Sequence, residues 1–150
     1  MVNLIQNSSA PVFTGEFPHR VEGKNRLTIP ADWRFGEEVE LFLTPRSNKR
    51  CIGVFTRAEV ERLKGVATAN MTPAERADFL DKFGRKMRRV VMDKGGRISL
   101  PEELRTAFKI DKDVMFSGAV DTFNIWNPAD FQAETASAGG DADVMAQLGI

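Results

Sequence analysis

Residues 21–34 read VEGKNRLTIPADWR, and residues 92–105 repeat the same pattern as MDKGGRISLPEELR. The two segments align without a gap at an offset of 71 residues, with identical residues at three positions: Arg26/Arg97, Pro30/Pro101 and Arg34/Arg105. The same offset returns downstream, where IGVFTRAEV at 52–60 matches FNIWNPADF at 123–131. Two matched blocks in the same order indicate a tandem duplication, with each copy about 50 residues long.

Each copy predicts the same series of short strands. A lead strand runs into a polar, glycine-containing turn, and a second short strand follows and ends at a proline, which cannot continue a strand ladder. The lead strands are expected at 13–21 and 87–92, and the short strands at 27–29 and 98–100. Two further strands then form a hairpin in each copy. These hairpins are expected to pair 39–44 with 52–55, and 114–116 with 123–126.

Short helices are predicted where capping signals occur. The prolines that end the short strands are expected at the first helical position of helices at 30–35 and 101–108, because proline is favoured there. Each copy closes with a helix, which begins at a capping box at 56–59 in the first copy and at Asn127-Pro128 in the second. Between the copies, a helix that starts at Thr72 carries an apolar stripe typical of a core or packing face. The stripe consists of Phe79, Leu80, Phe83 and Met87.

A copy of about 50 residues is too small to bury a robust core alone. Because each copy also has exposed strand edges, we expect the copies to interleave their hairpins into one shared, barrel-like core. The predicted fold class is mainly β with short helices (α+β), and its two tandem halves form one pseudo-symmetric unit. The expected divisions are a mobile N-terminal extension (1–12), a first repeat (13–66), a connecting helix region (67–83), a second repeat (84–134) and a mobile C-terminal tail (135–150).

The formal net charge is zero, from 21 basic and 21 acidic residues, but the charges are unevenly distributed. Residues 76–97 carry 8 basic and 3 acidic side chains, whereas residues 98–150 carry 3 basic and 9 acidic ones. A neutral chain can therefore still offer a local site to a polyanion. The alternative is that the basic run is a solvated helix face.

The composition leaves few residues from which a metal site or a catalytic site could be built. The only cysteine, Cys51, excludes an intrachain disulfide and a multi-cysteine zinc site, and we expect it to be a small half-buried residue rather than a reactive thiolate. With one His and no Tyr, common catalytic constellations are rare. No run approaches the ~20 apolar residues of a membrane-spanning helix, and the N-terminal segment lacks the pattern of a signal peptide. A soluble, cytosolic protein is therefore expected.

The most specific feature is a turn with an acid, three loop residues and an arginine, found twice. It reads Glu22-Gly23-Lys24-Asn25-Arg26 and Asp93-Lys94-Gly95-Gly96-Arg97. As a structural turn, the acid and the arginine would pair across the base of a hairpin. As a binding element, the glycines let the backbone approach a ligand, while Lys and Arg reach phosphates or base edges. The two interpretations are compatible, since an acid that orients an arginine also prepares it to bind guanine through O6 and N7.

These duplicated turns, with the GEF segment at 15–17 and the strand ends VFT and IWN before capped helices, resemble the MraZ family. The resemblance runs from about Phe13 to Phe131. It implies a bacterial transcriptional regulator built from two AbrB/SpoVT-type swapped-hairpin β-barrel halves. Such a protein binds short G-rich direct repeats of double-stranded DNA in the promoter of the division and cell-wall gene cluster, as a ring-shaped homo-oligomer. A cytoplasmic, nucleoid-associated protein is implied, without a cofactor, a metal, a small-molecule substrate or a membrane partner.

Carried onto this sequence, the resemblance implies two kinds of site residue. The loop-orienting acids are Glu22 and Asp93, and the DNA-binding residues are Arg20, Lys24, Asn25, Arg26, Lys94 and Arg97. The first loop departs from the family pattern, because Glu22 stands where Asp is usual and Asn25 where Gly is usual. Asn adopts left-handed backbone more readily than most residues, so the loop is expected to persist. We expect this loop, with Arg20, Lys24 and Arg26 clustered, to contribute more to DNA binding than the second.

Two other classes of function remain as alternatives. An antitoxin-like, protein-binding module of the same AbrB/MazE barrel type is favoured by the acidic C-terminal region, although such proteins usually carry one barrel copy per chain. An enzyme would have to use Glu22 and Asp93 as paired carboxylates, but no nucleophile, metal cluster or P-loop accompanies them in the sequence. We therefore expect a protein that is not an enzyme.

Overall fold

The computed structural model describes residues 10–137, 141 and 144–150. The first copy contains β1 (Glu16–Arg20), β2 (Arg26–Thr28), a 3-10 turn (Ala31–Trp33), β3 (Glu40–Pro45), β4 (Ile52–Thr56) and helix α1 (Arg57–Thr68). Helix α2 (Pro73–Lys86) leads into the second copy, which contains β5 (Arg88–Val91), β6 (Arg97–Ser99), α3 (Glu102–Ala107), β7 (Asp113–Gly118), β8 (Phe123–Trp126) and α4 (Pro128–Ala136). A last 3-10 turn spans Ala146–Leu148. Both copies thus follow the series that the repeat predicts.

The strands form two antiparallel sheets in which the copies exchange strands. The larger sheet has the order β1-β7-β8-β4-β3-β5, and β2 pairs with β6 in a separate two-stranded sheet. Strand β1 of the first copy pairs with β7 of the second, and β5 of the second copy pairs with β3 of the first. The predicted fold class and the predicted interleaving of the hairpins are therefore confirmed.

Both sheets share one hydrophobic core to which both copies contribute. Leu27 and Ile98 lie opposite each other across the β2–β6 pair, and both are buried. The Trp33 ring lies 5.8 Å from the Phe13 ring and 4.8 Å from the Phe123 ring, measured between centroids. Residues of each copy therefore depend on the other copy for burial, as expected when each unit is too small to form a core alone.

The helix starts differ in detail from the sequence prediction. Pro30 and Pro101 are N-caps rather than first helical residues, because ψ angles of 138° and 132° keep their backbone extended. The first of the two predicted helices accordingly contracts to a single 3-10 turn. At the start of α1, Thr56 accepts a hydrogen bond from the Glu59 N–H, but the Glu59 carboxylate pairs with Arg62 instead of returning to the cap. Asn127 caps α4 as predicted, with Pro128 in the first turn.

The apolar stripe of α2 lies outside the core. Its side chains are half-buried, and the rings of Phe79 and Phe83 stack with centroids 5.4 Å apart. Helices α1 and α2 contact each other, and neither contains a fully buried residue. The stripe is therefore a packing surface rather than part of the core.

The two terminal segments are described only in part. Residues 1–9 of the predicted N-terminal extension, and residues 138–140 and 142–143 of the predicted C-terminal tail, lie outside the described residues. Phe13 is buried and exchanges backbone hydrogen bonds with Val120, so the first copy is anchored from that residue onward. The division of the chain into repeats, linker and mobile ends stays a prediction.

Candidate functional site

The β2–β6 pair brings the two acid-x-x-x-Arg loops together. Arg26 lies opposite Ser99 and Thr28 lies opposite Arg97, while the pair between them, Leu27 and Ile98, points into the core. Because alternate residues of a strand share a face, both arginines project from the outer face of this ribbon. Both are exposed. The exchange of strands therefore places two matched arginines on one surface.

The second loop is held by its own acid. The Asp93 carboxylate accepts hydrogen bonds from the backbone N–H groups of Gly95 and Arg97, at 2.9 and 3.0 Å, and from Arg97 Nε at 3.2 Å. The backbone N–H of Arg97, with its guanidinium and the Gly95 N–H in support, holds the pKa of Asp93 below its ordinary value of 3.8. The carboxylate thus stays ionised while it fixes both the turn and the direction of Arg97.

The first loop closes through its backbone. The N–H of Glu22 donates to the Arg26 carbonyl at 2.7 Å, and the N–H of Arg26 donates back to the Glu22 carbonyl at 3.1 Å. Lys24 and Asn25 both adopt left-handed backbone, with φ of 59° and 62°. Asp93 and Arg97 form an ion pair, but the described residues show none between Glu22 and Arg26. The structure therefore brings the backbones of Glu22 and Arg26 together without pairing their charged ends.

Each loop is anchored on the other copy. The Leu100 N–H donates to the Asn25 carbonyl at 2.8 Å, and at the matched position the Ile29 N–H donates to the Gly96 carbonyl at 2.7 Å. The two bonds are related by the 71-residue offset of the repeat. The loops are consequently fixed to one another through β2 and β6.

Three residues that contact these loops were not among the predicted site residues. Glu102 and Arg105 of α3 both hydrogen-bond to the Asn25 side chain. Arg34 packs on Gly96 so closely that a Cβ there would lie 2.3 Å from its Nε. The identity of Arg34 and Arg105 in the repeat is the one sequence signal that could have found two of them.

The remaining predicted site residues lie around the ribbon. Lys24 and Lys94 are exposed within the turns themselves. Arg20 lies at the end of β1, where its Nε is 3.4 Å from Asp113 Oδ1 and its side chain is 79% exposed. Because such an exposed pair contributes little, Arg20 remains available to another anion.

Most of the basic run at 76–97 is paired with acidic side chains. The pairs are Lys82–Asp78, Arg85–Asp81, Arg88–Glu103, Arg89–Glu40 and Arg97–Asp93. The Glu40 carboxylate also bonds Arg57, and these two guanidinium groups lower the pKa of Glu40 from 4.5 to about 2. Among the described residues, Lys24, Arg26 and Lys94 of the loops form no ion pair, so the loops keep exposed positive charge although Arg97 pairs with Asp93.

Burial shifts the pKa of both His19 and Cys51. His19 is half-buried, with its ring 5.2 Å from that of Phe116, and burial together with the charge of Arg34 lowers its pKa. Burial raises the pKa of the Cys51 thiol to about 11. Burial therefore disfavours the charged form of both side chains, the imidazolium that would pair with a phosphate and the thiolate that would act as a nucleophile.

The described residues contain neither a metal-binding cluster nor a membrane-spanning helix. No group of three or more His, Cys, Asp or Glu side chains in this part of the chain could hold a metal ion. No helix within the same residues is long and apolar enough to cross a membrane.

A family model and several known proteins match this chain, and all of them carry the same family name. A family model described as "MraZ protein, putative antitoxin-like" matches residues 85–143. Transcriptional regulator MraZ of Desulfitobacterium hafniense (strain Y51) is 34% identical over 146 residues, which cover 93% of this chain and 100% of that protein. Transcriptional regulator MraZ of Micrococcus luteus is 31% identical over 140 residues, covering 89% of this chain and 97% of that protein. The corresponding regulator of Leuconostoc mesenteroides is 31% identical over 144 residues, covering 91% and 95%.

Proposed function

The chain belongs to the MraZ family, and we propose that it is a transcriptional regulator that binds double-stranded DNA through the outer face of its β2–β6 ribbon. The observation that carries the proposal is the pair of matched, exposed arginines, Arg26 and Arg97, on that face. The major groove of B-DNA admits a two-stranded β-ribbon, and arginine is suited to guanine because its fork meets O6 and N7 together. The names of the relatives, which are transcriptional regulators, support the same function.

Within this proposal the loop residues divide into two roles. Arg26 and Arg97 read base edges, whereas Lys24, Lys94 and Arg20 contact phosphates. Asn25 contributes to DNA binding through the shape of the first loop, because Glu102 and Arg105 bind its side chain. Asp93 orients the second loop through its carboxylate rather than touching DNA, whereas Glu22 supports the first loop through its backbone bonds to Arg26. The Asp93 carboxylate, with its bonds to the Arg97 backbone and guanidinium, supports this role most directly.

The proposed target is a set of short, G-rich direct repeats in the promoter of the division and cell-wall gene cluster. A single ribbon offers few contacts, so affinity would come from several subunits of a ring-shaped homo-oligomer on tandem repeats. Such a regulator acts in the cytoplasm, at the nucleoid. Light scattering combined with size exclusion would measure the number of subunits.

Fluorescence anisotropy with a labelled duplex from the region upstream of the gene tests the proposal. We expect tighter binding to this duplex than to scrambled DNA, and a slope of about −0.9 per neutralised phosphate in a plot of log affinity against log salt. Arg26→Ala should weaken specific binding by about 1–3 kcal/mol if the side chain reads guanine. Arg50→Ala, which removes an exposed arginine between β3 and β4, is the charge-matched control and should preserve sequence preference.

A second candidate function is a protein-binding module of the antitoxin type. The description of the family model favours it, as does the acidic content of residues 98–150. Equal binding to native and scrambled duplexes, together with no effect of Arg26→Ala, would exclude sequence-specific recognition through the ribbon and leave this candidate. Stable co-purification of one stoichiometric protein with the chain from its own operon would then support it.

A further inference from the structure

The side chain of Asn25 is bound at both of its polar ends by the second copy. Its Nδ2 donates to Glu102 Oε1 at 2.8 Å, and its Oδ1 accepts from Arg105 Nη1 at 2.5 Å. The assignment of oxygen and nitrogen is consistent, because the carboxylate accepts and the guanidinium donates. Since the Asn25 carbonyl is bound by Leu100 as well, three residues of the second copy hold one residue of the first loop.

Arg105 is itself fixed before it reaches the loop. Its Nε donates to the Ile110 carbonyl at 3.0 Å, its Nη2 donates to the Asp111 carbonyl, and the side chain is half-buried. A guanidinium with three acceptors has little freedom, since its planar fork fixes the directions of its donors. The Asn25 side chain therefore meets a rigid partner.

The second loop has no equivalent of this arrangement. Gly96 occupies the position that matches Asn25, and Arg34 fills the space where a side chain would lie. That loop is held from within, by Asp93, whereas the described contacts of the first loop include no bond from the Glu22 carboxylate to Arg26. The two loops thus keep their shapes by different means.

We propose that Glu102 and Arg105, acting through Asn25, position the first loop for DNA and replace the acid cap that Asp93 supplies in the second loop. This inference rests on the proposed function only for its effect on DNA binding. Glu102 is a positioning residue whose negative charge lies beside a surface that binds a polyanion. The negative charge of Glu102 repels DNA, whereas its hydrogen bond to Asn25 positions the loop. Removal of the charge alone should therefore strengthen DNA binding, and removal of the hydrogen bond should weaken it.

The test compares two substitutions of Glu102 in the full chain. Glu102→Gln removes the charge but keeps Oε1 as an acceptor, whereas Glu102→Ala removes both. We expect Glu102→Ala to weaken binding to the native duplex about fivefold, the equivalent of one net hydrogen bond, and Glu102→Gln to bind at least as tightly as the parent. Binding to scrambled DNA should tighten in both variants, because only the charge matters there.

Glu103→Ala is the matched control. Glu103 is the adjacent acid in the first turn of α3, so its removal reproduces the loss of charge and the effect on the helix dipole without touching Asn25. It also releases Arg88 from an exposed ion pair, which contributes little to stability. We expect its affinity for the native duplex to rise or stay unchanged. If Glu102→Ala behaves like Glu103→Ala, the positioning role is refuted.

Hydrogen exchange in the free protein separates failure of this inference from failure of the proposed function. The amides of Arg26 and Leu100 close the first loop and anchor it, so Glu102→Ala should accelerate their exchange severalfold while Glu102→Gln and Glu103→Ala do not. This readout needs no DNA. Unchanged exchange at both amides would overturn the inference even if Arg26→Ala abolishes DNA binding, and accelerated exchange would support it even if no duplex binds.

Discussion

Replacing Gly96 by alanine tests how the second loop is seated on the first copy. Gly96 has φ of 80°, a left-handed backbone that costs about 1–2 kcal/mol once a Cβ is present. The new Cβ would lie 2.3 Å from Nε and 2.6 Å from Cζ of Arg34, so that side chain must move. Its displacement breaks the bond from Arg34 Nε to the Ile29 carbonyl, which contributes about 1 kcal/mol. We therefore expect Gly96→Ala to lower the free energy of unfolding by about 2–3 kcal/mol.

The neighbouring glycine provides the control. Gly95 does not have a positive φ, and a Cβ there would meet its closest neighbour, Arg97 Nε, at 3.3 Å. We expect Gly95→Ala to change the free energy of unfolding by no more than about 1 kcal/mol. Urea unfolding followed by tryptophan fluorescence measures both variants, since Trp33 and Trp126 are buried in the native state. Protein concentration must be held constant, because assembly would add to the apparent stability.

A double-mutant cycle with Arg34→Ala divides the effect into its two causes. Without the Arg34 side chain, the clash disappears and Gly96→Ala should cost only the backbone part, about 1–2 kcal/mol. The coupling energy between the two sites should then be about 1 kcal/mol. The reasoning is refuted if the two substitutions are additive, or if Gly96→Ala is no more destabilising than Gly95→Ala.

Three further predictions concern other parts of the molecule. The two arginine partners of Glu40 lower its pKa from 4.5 to about 2. The stabilising effect of the Glu40 carboxylate is therefore complete above pH 4.5 and is lost as the pH falls from 4.5 to about 2. The difference in unfolding free energy between the parent and Glu40→Gln should therefore shrink from pH 7 to pH 3. A constant difference over this range would contradict the stabilising role of the Glu40 carboxylate. Cys51 is buried and its pKa is raised to about 11. Ellman's reagent should therefore react with this thiol no faster than the chain unfolds, and rapid labelling of the native protein would show that Cys51 is not buried. Gly118→Ala should destabilise by about 3 kcal/mol, because the Cβ would lie 2.3 Å from the Phe13 carbonyl oxygen, whereas Gly65→Ala on the open face of α1 should stabilise by about 0.5–1 kcal/mol in the same urea assay.

The repeat made the architecture predictable. Once two copies are recognised, the small size of each copy and its exposed strand edges favour exchange of strands, and β1–β7 and β3–β5 are such exchanges. Local capping was less predictable. Pro30 and Pro101 fit both the N-cap and the first helical position, and the choice depends on whether the preceding strand keeps the proline extended, which is a tertiary effect.

The candidate site was likewise predictable from the sequence only in part. The loops themselves were visible because their acid, glycine and arginine residues are consecutive. Glu102 and Arg105 were not, because 77 and 80 residues separate them from Asn25, and contact arises only through strand exchange. In sequence they are charged residues of a short helix, a pattern that indicates a solvated face. The sequence predicts that Asn25 tolerates left-handed backbone in place of glycine and binds DNA, whereas the structure shows its side chain bound by the other copy.

This asymmetry requires two copies that differ in sequence, which duplication within one chain supplies. In a symmetric dimer of single-copy chains, the position of Asn25 and that of Gly96 would hold the same residue. The positions of Arg34 and Arg105 would likewise hold one arginine, which would contact that residue identically in both loops. An Asn at the position of Gly96 would collide with Arg34, since even a Cβ there lies 2.3 Å from Nε. A Gly at the position of Asn25 would leave Glu102 and Arg105 without their shared partner. Duplication within one chain removes this constraint, so that one loop can be fixed by its own acid while the other is fixed by α3, and the two loops can diverge in what they bind.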